Sequence, residues 1–151
     1  MYKKLSIIFL FLFAFTSCSG IGKSLIKSPD LSVTHISVSK LSLEEQDINL
    51  KLRIDNPNPY ALPIRGFSYK FFINDSEFID GYFNNKFDIK ANDNSTIELK
   101  LSGNLLSFLK KLDISILKNI DYKIKGDIAI LIGNLTFPYE YNGKLSIIIV
   151  F

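Results

Sequence analysis

The run Asp47-Ile-Asn-Leu-Lys-Leu-Arg-Ile-Asp55, followed at once by Asn56-Pro57-Asn58-Pro59 and Tyr60-Ala-Leu-Pro63-Ile-Arg-Gly66, decides the fold. Ile48, Leu50, Leu52 and Ile54 share one face; Asp47, Asn49, Lys51, Arg53 and Asp55 share the other. A faultless period of two predicts a strand with one face in a core and one in water. Pro57 and Pro59 then remove two ladder donors and press the residues before them into extended geometry. The chain must leave the sheet there or run along its edge. The amides of Asn56 and Asn58 are suited to bond nearby backbone in place of the lost pairing.

Further residues fall in a recognisable series. Leu62-Pro63-Ile64 follows the corner, Gly66 precedes an aromatic strand, and Asp80-Gly81 follows the next one. Ile89-Lys90-Ala91 precedes another alternating strand, and Tyr122-Lys123-Ile124-Lys125-Gly126 comes late. Together with the strand running into Asn-Pro-Asn, this series resembles the water-stress and hypersensitive-response domain of the late-embryogenesis-abundant group 2 proteins. The likeness covers Leu31 to Phe151. It implies the fold, an association with desiccation and other stresses, and non-covalent contact with proteins or membrane surfaces. Asn56, Pro57, Asn58, Pro59, Pro63 and Gly66 are its motif residues here, read as structural.

The start of the chain carries an address. Met1-Tyr2-Lys3-Lys4 is basic, Leu5 to Phe15 is apolar except Ser6, and Thr16-Ser17-Cys18 follows. That order predicts a secretory signal over residues 1–17, because so short an apolar run falls below the roughly 20 residues a helix needs to span a bilayer core. The single Cys of the chain stands just after it. The placement resembles a bacterial lipoprotein signal, with Phe15 in place of the usual Leu. Cys18 is therefore the expected lipid attachment, and the membrane the expected partner through that lipid. A plain signal peptide with a stray Cys is the competing reading. Ser19, in place of Asp, favours outer-membrane sorting in a cell with two membranes. The expected location is the bacterial cell envelope, on the outer membrane and facing the periplasm.

Residues 18–30 are small, polar and basic, as suits a lipidated tether to a domain over 31–151. Gly22-Lys23-Ser24 is not a phosphate loop, since Ser17 stands where that motif needs its first Gly. Loss of Lys3 and Lys4 with the leader lowers the net charge from +3 to +1, so no basic surplus is left to hold nucleic acid. With Cys18 acylated no intrachain disulfide is possible, and the single domain must stand on its core.

Leu31 to Val38 is a strand whose apolar phase switches between Val33 and Ile36, the sign of a bulge or of a strand serving two sheets. Leu41 and Leu43 extend it, and Glu44-Glu45-Gln46 is a polar turn. Gly66 to Ile73 and Glu77 to Phe83 form a hairpin about Asn74-Asp75-Ser76, with Phe87 adding to an aromatic cluster. Asn92-Asp93-Asn94 turns into a strand carrying Ile97, Leu99 and Leu101. Leu105 to Leu117 changes to helical spacing, started by Gly103-Asn104 and ended by Asn119. Such a helix plugs one end of a sandwich; gripping a membrane is the alternative. Tyr122, Ile124, Gly126, Ile128, Ile130 and Ile132 alternate up to a turn at Gly133-Asn134. Asn142-Gly143 is a second turn pair, and the apolar end from Leu145 to Phe151 must be paired or covered. The pattern predicts an all-β protein with one helix near 105–117. Its form is an antiparallel β-sandwich, immunoglobulin/fibronectin III-like, of about seven strands.

Chemistry is sparse. His35 is the single His and no Cys lies in the domain, so neither a triad nor a zinc set can be assembled. No catalytic residue, metal site or cofactor is expected, and 47% hydrophobic residues is too apolar for a disordered protectant. Tyr60, Tyr82, Tyr139 and Tyr141, near turns, are candidate contact residues unless the core absorbs them. Two function classes follow. One is a membrane-anchored, non-catalytic, stress-associated protective or binding module with protein or lipid clients. The alternative is an envelope lipid-binding or assembly module.

Overall fold

The computed structural model describes residues 25–39, 46–111 and 120–145. Residues 1–24, including Cys18 and most of the tether, lie outside this range. So do the Leu41–Glu45 region, the second half of the expected helix with Asn119, and the chain after Leu145.

Among the described residues eight strands, one short α-helix and one turn of 3₁₀ helix run in order: β1 Asp30–Ser39, β2 Gln46–Asp55, β3 Leu62–Ile73, β4 Ser76–Phe83, β5 Phe87–Ile89, β6 Asn94–Gly103, α1 Leu105–Lys111, β7 Ile120–Ile130, the 3₁₀ turn Ile132–Asn134 and β8 Thr136–Leu145. All pairings are antiparallel, and they form two sheets, β1-β2-β6 and β4-β3-β7-β8, with β5 also on β3. The sheets face each other and approach along β1 and β8, and again at β4 and β6.

The organising strand is the centre of its sheet. Ile48, Leu50, Leu52 and Ile54 are fully buried, while Lys51 and Arg53 on the other face are exposed. They meet Ile64, Phe67, Phe71, Ile124 and Ile128 in one hydrophobic core, each side chain worth roughly 1.5–3 kcal/mol when fully buried. The phase switch in β1 is a bulge: the register slips between Val33 and His35, and the extra Thr34 donates its hydroxyl to the Lys51 carbonyl at 3.0 Å. The β3–β4 hairpin closes on Asn74 and Asp75 with φ of 46° and 62°. Two left-handed residues are the geometry of a type I′ turn, which matches the twist of the strands it joins.

The expected sandwich of about seven strands has eight among the described residues, the short one being β5, three residues long and too short to show alternation. The expected helix near 105–117 is described over Leu105–Lys111, where Asn104 caps it by accepting the Ser107 amide at 2.8 Å, and Phe108 packs edge-on to Phe78. Two expectations need correction. Asn142-Gly143 is no turn but lies within β8, opposite Lys123 and Tyr122. Ile132 does not continue β7: the strand ends at Ile130, and Ile132 stands exposed in a 3₁₀ turn with Gly133 and Asn134 at positive φ.

Candidate functional site

Asn56 and Asn58 end β2 at one end of the sandwich and are 2% and 1% exposed. The Asn56 amide group donates to the carbonyls of Tyr60 (2.8 Å), Lys90 (3.0 Å) and Ile89 (3.2 Å). Its oxygen accepts from the Asn58 backbone N–H (3.0 Å) and from Asn58 Nδ2 (2.9 Å). The Asn56 N–H donates to Asp93 O at 2.8 Å, and the Asn58 carbonyl accepts from Asn92 N at 2.9 Å. The corner that the prolines open is thus laced to the turn between β5 and β6. Pro57 and Pro59 are exposed, in a place where no ladder donor is needed. Pro63 sits in β3 opposite Asp88, and its carbonyl accepts from Leu131 N at 3.0 Å.

Asn58 also holds the segment by which the chain enters. Its oxygen accepts from Lys27 N (2.8 Å) and its Nδ2 donates to Lys27 O (2.9 Å), so a side-chain amide pairs a backbone residue as a strand neighbour would. Tyr60 adds a bond from its hydroxyl to Leu25 O at 2.8 Å. The entry segment, the Asn-Pro corner, the β5–β6 turn and the β7–β8 turn therefore gather at one end.

A second feature lies within the larger sheet. The β3–β7 ladder runs through Phe67–Ile128 and resumes at Lys70–Lys125. Between them, Ser68 Oγ accepts the Asp127 N–H at 2.9 Å, and Tyr139 reaches from β8 across β7 to donate to Ser68 O at 2.8 Å. Gly126 makes this crossing possible, because a Cβ there would strike the Ser68 carbonyl. Tyr69 over Gly81 and Tyr122 over Gly143 repeat the device: in each pair register partners on adjacent strands set a phenol across a bare backbone. Gly66, at φ 154° beside the bulge in β3, is likewise tight against the Phe83 carbonyl. An open cleft of about 560 Å³ lies at the ladder break, lined in part by Ser68, Tyr69, Lys125, Asp127, Tyr139 and Glu140.

The tyrosines divide. Tyr60 and Tyr82 are exposed, Tyr139 is buried and Tyr141 half-buried against Tyr122. Burial, then Asp127 and Tyr69, push the Tyr139 phenol well up; burial, then Tyr141, push Tyr122 up to about 12. Both are raised above the ordinary value of 10.0, so the folded state holds these protons more tightly than the unfolded chain. Their contribution is complete below pH 10 and is lost as pH rises toward 12. Melting temperature should therefore fall over that window, and less steeply in Tyr139→Phe. A profile flat to pH 12 would contradict the burial of these phenols.

His35 is exposed on β1 opposite Lys51. Among the described residues no three His, Cys, Asp or Glu side chains converge. Asp47, buried, accepts from Ser102 Oγ at 2.7 Å and pairs with Lys100 at 2.9 Å. Among the described residues every buried side-chain N or O has a hydrogen-bond partner.

Fold and corner together define a class: a two-sheet antiparallel sandwich whose central strand ends in a buried, amide-laced Asn-Pro-Asn-Pro turn. The chain belongs to the late embryogenesis abundant protein family, type 2, whose profile matches residues 51–143, from within β2 to within β8. It is 28% identical over 127 residues to the late embryogenesis abundant protein Lea14-A of Gossypium hirsutum, covering 81% of this chain and 83% of that one. A protein of Arabidopsis thaliana solved in solution has a similar fold, with TM-score 0.67 and 22% identity over 81% of this chain and 83% of its own. A crystal structure from Archaeoglobus fulgidus aligns over 79% of this chain and all of its own, with TM-score 0.53 and 17% identity. Family membership makes this a stress-associated protein of the late-embryogenesis type.

Proposed function

We propose that the protein is a non-catalytic protective module that binds clients or membranes reversibly during water stress, held at a membrane of the bacterial envelope by lipid on Cys18. The observation that carries the non-catalytic reading is the use made of its buried polar groups. Asp47, Asn56 and Asn58 are all bonded to the protein's own chain, and their bonds join elements of the fold. A reaction centre needs groups aimed at a reactant, whereas these are aimed at backbone or at neighbouring side chains. The anchoring reading rests on the basic start, the apolar run and the Cys that ends it.

A second reading, an envelope lipid-binding module, is favoured by the cleft at the β3–β7 ladder break. Its rim carries Lys70, Lys125, Asp80 and Glu140, which suits a zwitterionic headgroup better than a bare acyl chain.

The test is to dry and rehydrate a labile enzyme, and separately dye-loaded vesicles, with the purified protein or with an inert protein of the same size. Retained activity or dye above the control is the expected result. No advantage in either assay, with a stoichiometric lipid in the purified protein, would favour the second reading. Mass spectrometry of the N-terminal peptide reads the anchor itself: Cys18 should carry acyl mass, and Cys18→Ala should carry none.

A further inference from the structure

We infer that the end of the sandwich where the chain enters is a membrane-contact surface in its own right, with Leu25, Tyr60, Leu131 and Ile132 entering the bilayer interface. The inference rests on the anchoring reading above and adds the orientation of the domain. Among the residues whose side chains are described, five large apolar ones are exposed: Leu25 (71%), Tyr60 (37%), Leu131 (47%), Ile132 (44%) and Tyr82 (49%). The first four sit at one end of the fold, in the entry segment, the Asn-Pro corner and the β7–β8 turn. The covalent order and the bonds Tyr60–Leu25 and Leu131–Pro63 join these three pieces.

The β7–β8 turn is the strongest of them. Turn tips favour Gly, Asn, Asp and Ser, yet here two aliphatics come first and Gly133-Asn134 follows. The turn is held firmly: Ile130 N donates to Leu135 O at 3.0 Å, and Leu131 N to Pro63 O at 3.0 Å. Leu131 and Ile132 are thus presented outward by a fixed backbone, on a loop where exposed apolar groups mark contact.

A bilayer is the occupant that the connectivity selects. Cys18 precedes Leu25 by seven residues, which reach at most about 25 Å when fully extended. The Asn58–Lys27 clasp and the Tyr60–Leu25 bond stop the entry segment from peeling away and lengthening that leash. Strands of about ten residues put the opposite end, with α1 and the Asn74-Asp75 turn, some 30 Å further off. An acylated Cys18 therefore holds the Leu25, Tyr60, Leu131 and Ile132 end nearest the lipid. Three aliphatics and a tyrosine suit the boundary between headgroups and acyl chains. The same placement assigns α1 away from the membrane.

The protein has no Trp, so one introduced ring reports on its own surroundings. Ile132→Trp and, as a second position, Leu131→Trp are made in the full chain, processed in its host. They are reconstituted into phosphatidylethanolamine–phosphatidylglycerol vesicles with or without brominated acyl chains. Ser107→Trp, exposed on α1, is the comparison. A ring held at the boundary between headgroups and acyl chains should lose emission to brominated chains, while Ser107→Trp should be unchanged. Emission at both turn positions unaffected by bromine overturns the contact surface. A blue shift without quenching also overturns it, and assigns the patch to a client or a second copy. The mass of the N-terminal peptide is read in the same sample. Acylated and unquenched leaves the anchor standing and removes the contact surface; unacylated and unquenched removes both; quenching supports the contact surface in either case.

Discussion

Asn56→Ala is expected to melt roughly 10–15 °C below the parent protein, a loss of about 3–4 kcal/mol. The amide is 2% exposed and meets three carbonyls and two N–H groups of its own chain. Alanine removes all five bonds at once; the Lys90 carbonyl keeps the Asp93 N–H and Asn58 Nδ2 keeps the Lys27 carbonyl, while the other three lose this partner in a corner where exposed Pro57 and Pro59 give the backbone no donor to substitute. Each orphaned buried group costs about 1–3 kcal/mol, and partial hydration brings the sum below simple addition. Asn58→Ala should cost less and act elsewhere, because its amide holds Lys27 rather than the β5–β6 turn. Limited trypsin digestion should then cut after Lys27 faster in Asn58→Ala than in the parent, with the domain still folded. If Asn56→Ala melts like the parent while a client interaction disappears, the corner is a recognition motif and its structural role is wrong.

Gly126→Ala is the second large effect, expected at about 3 kcal/mol or more. The new methyl falls on the Ser68 carbonyl, and Tyr139 can no longer cross β7 to reach it. Widening β3 from β7 to make room also strains the bond from the Asp127 N–H to Ser68 Oγ. The comparison is Gly133→Ala, where the methyl would lie 3.7 Å from Leu135, an ordinary contact, at φ 63°. A left-handed alanine costs roughly 1–2 kcal/mol. Thermal melts at neutral pH should therefore rank Gly126→Ala well below Gly133→Ala, with Tyr139→Phe nearer the parent. The reverse order would mean that the phenol does not bridge the broken ladder.

Local rules carried much of this far. The alternation of β2, the slip in β1, the Asn74-Asp75 hairpin and the Asn104 cap are each decided by a few neighbouring residues, and each was legible. The unread parts depend on partners distant in sequence. Nothing near Asn142-Gly143 says that Lys123 and Tyr122 will lie opposite and hold it in a strand. Ile132 keeps the period of β7, but two left-handed residues after it draw it into the turn, and tertiary geometry overrides the pattern. The motif itself was visible as Asn-Pro-Asn-Pro, while the tie from Asn58 to Lys27 spans 31 positions and has no local signature. Among the tyrosines, Tyr139 went into the core because Gly126 sits opposite, a pairing that only the register reveals.

The displaced turn pair has a consequence for how long such a protein lasts. In a loose chain, Asn followed by Gly is the sequence most prone to ring closure. The glycine nitrogen attacks the preceding side-chain carbonyl, ammonia leaves, and the succinimide opens to aspartate or isoaspartate. Closure requires the backbone to fold back on the side chain. In β8 the pair is extended, opposed by β7, with the Tyr122 ring set across Gly143 and the Asn142 amide turned toward Glu140 at 3.2 Å. Its most perishable bond is thus stored inside a sheet, so that chemical ageing of the chain waits on the opening of β8.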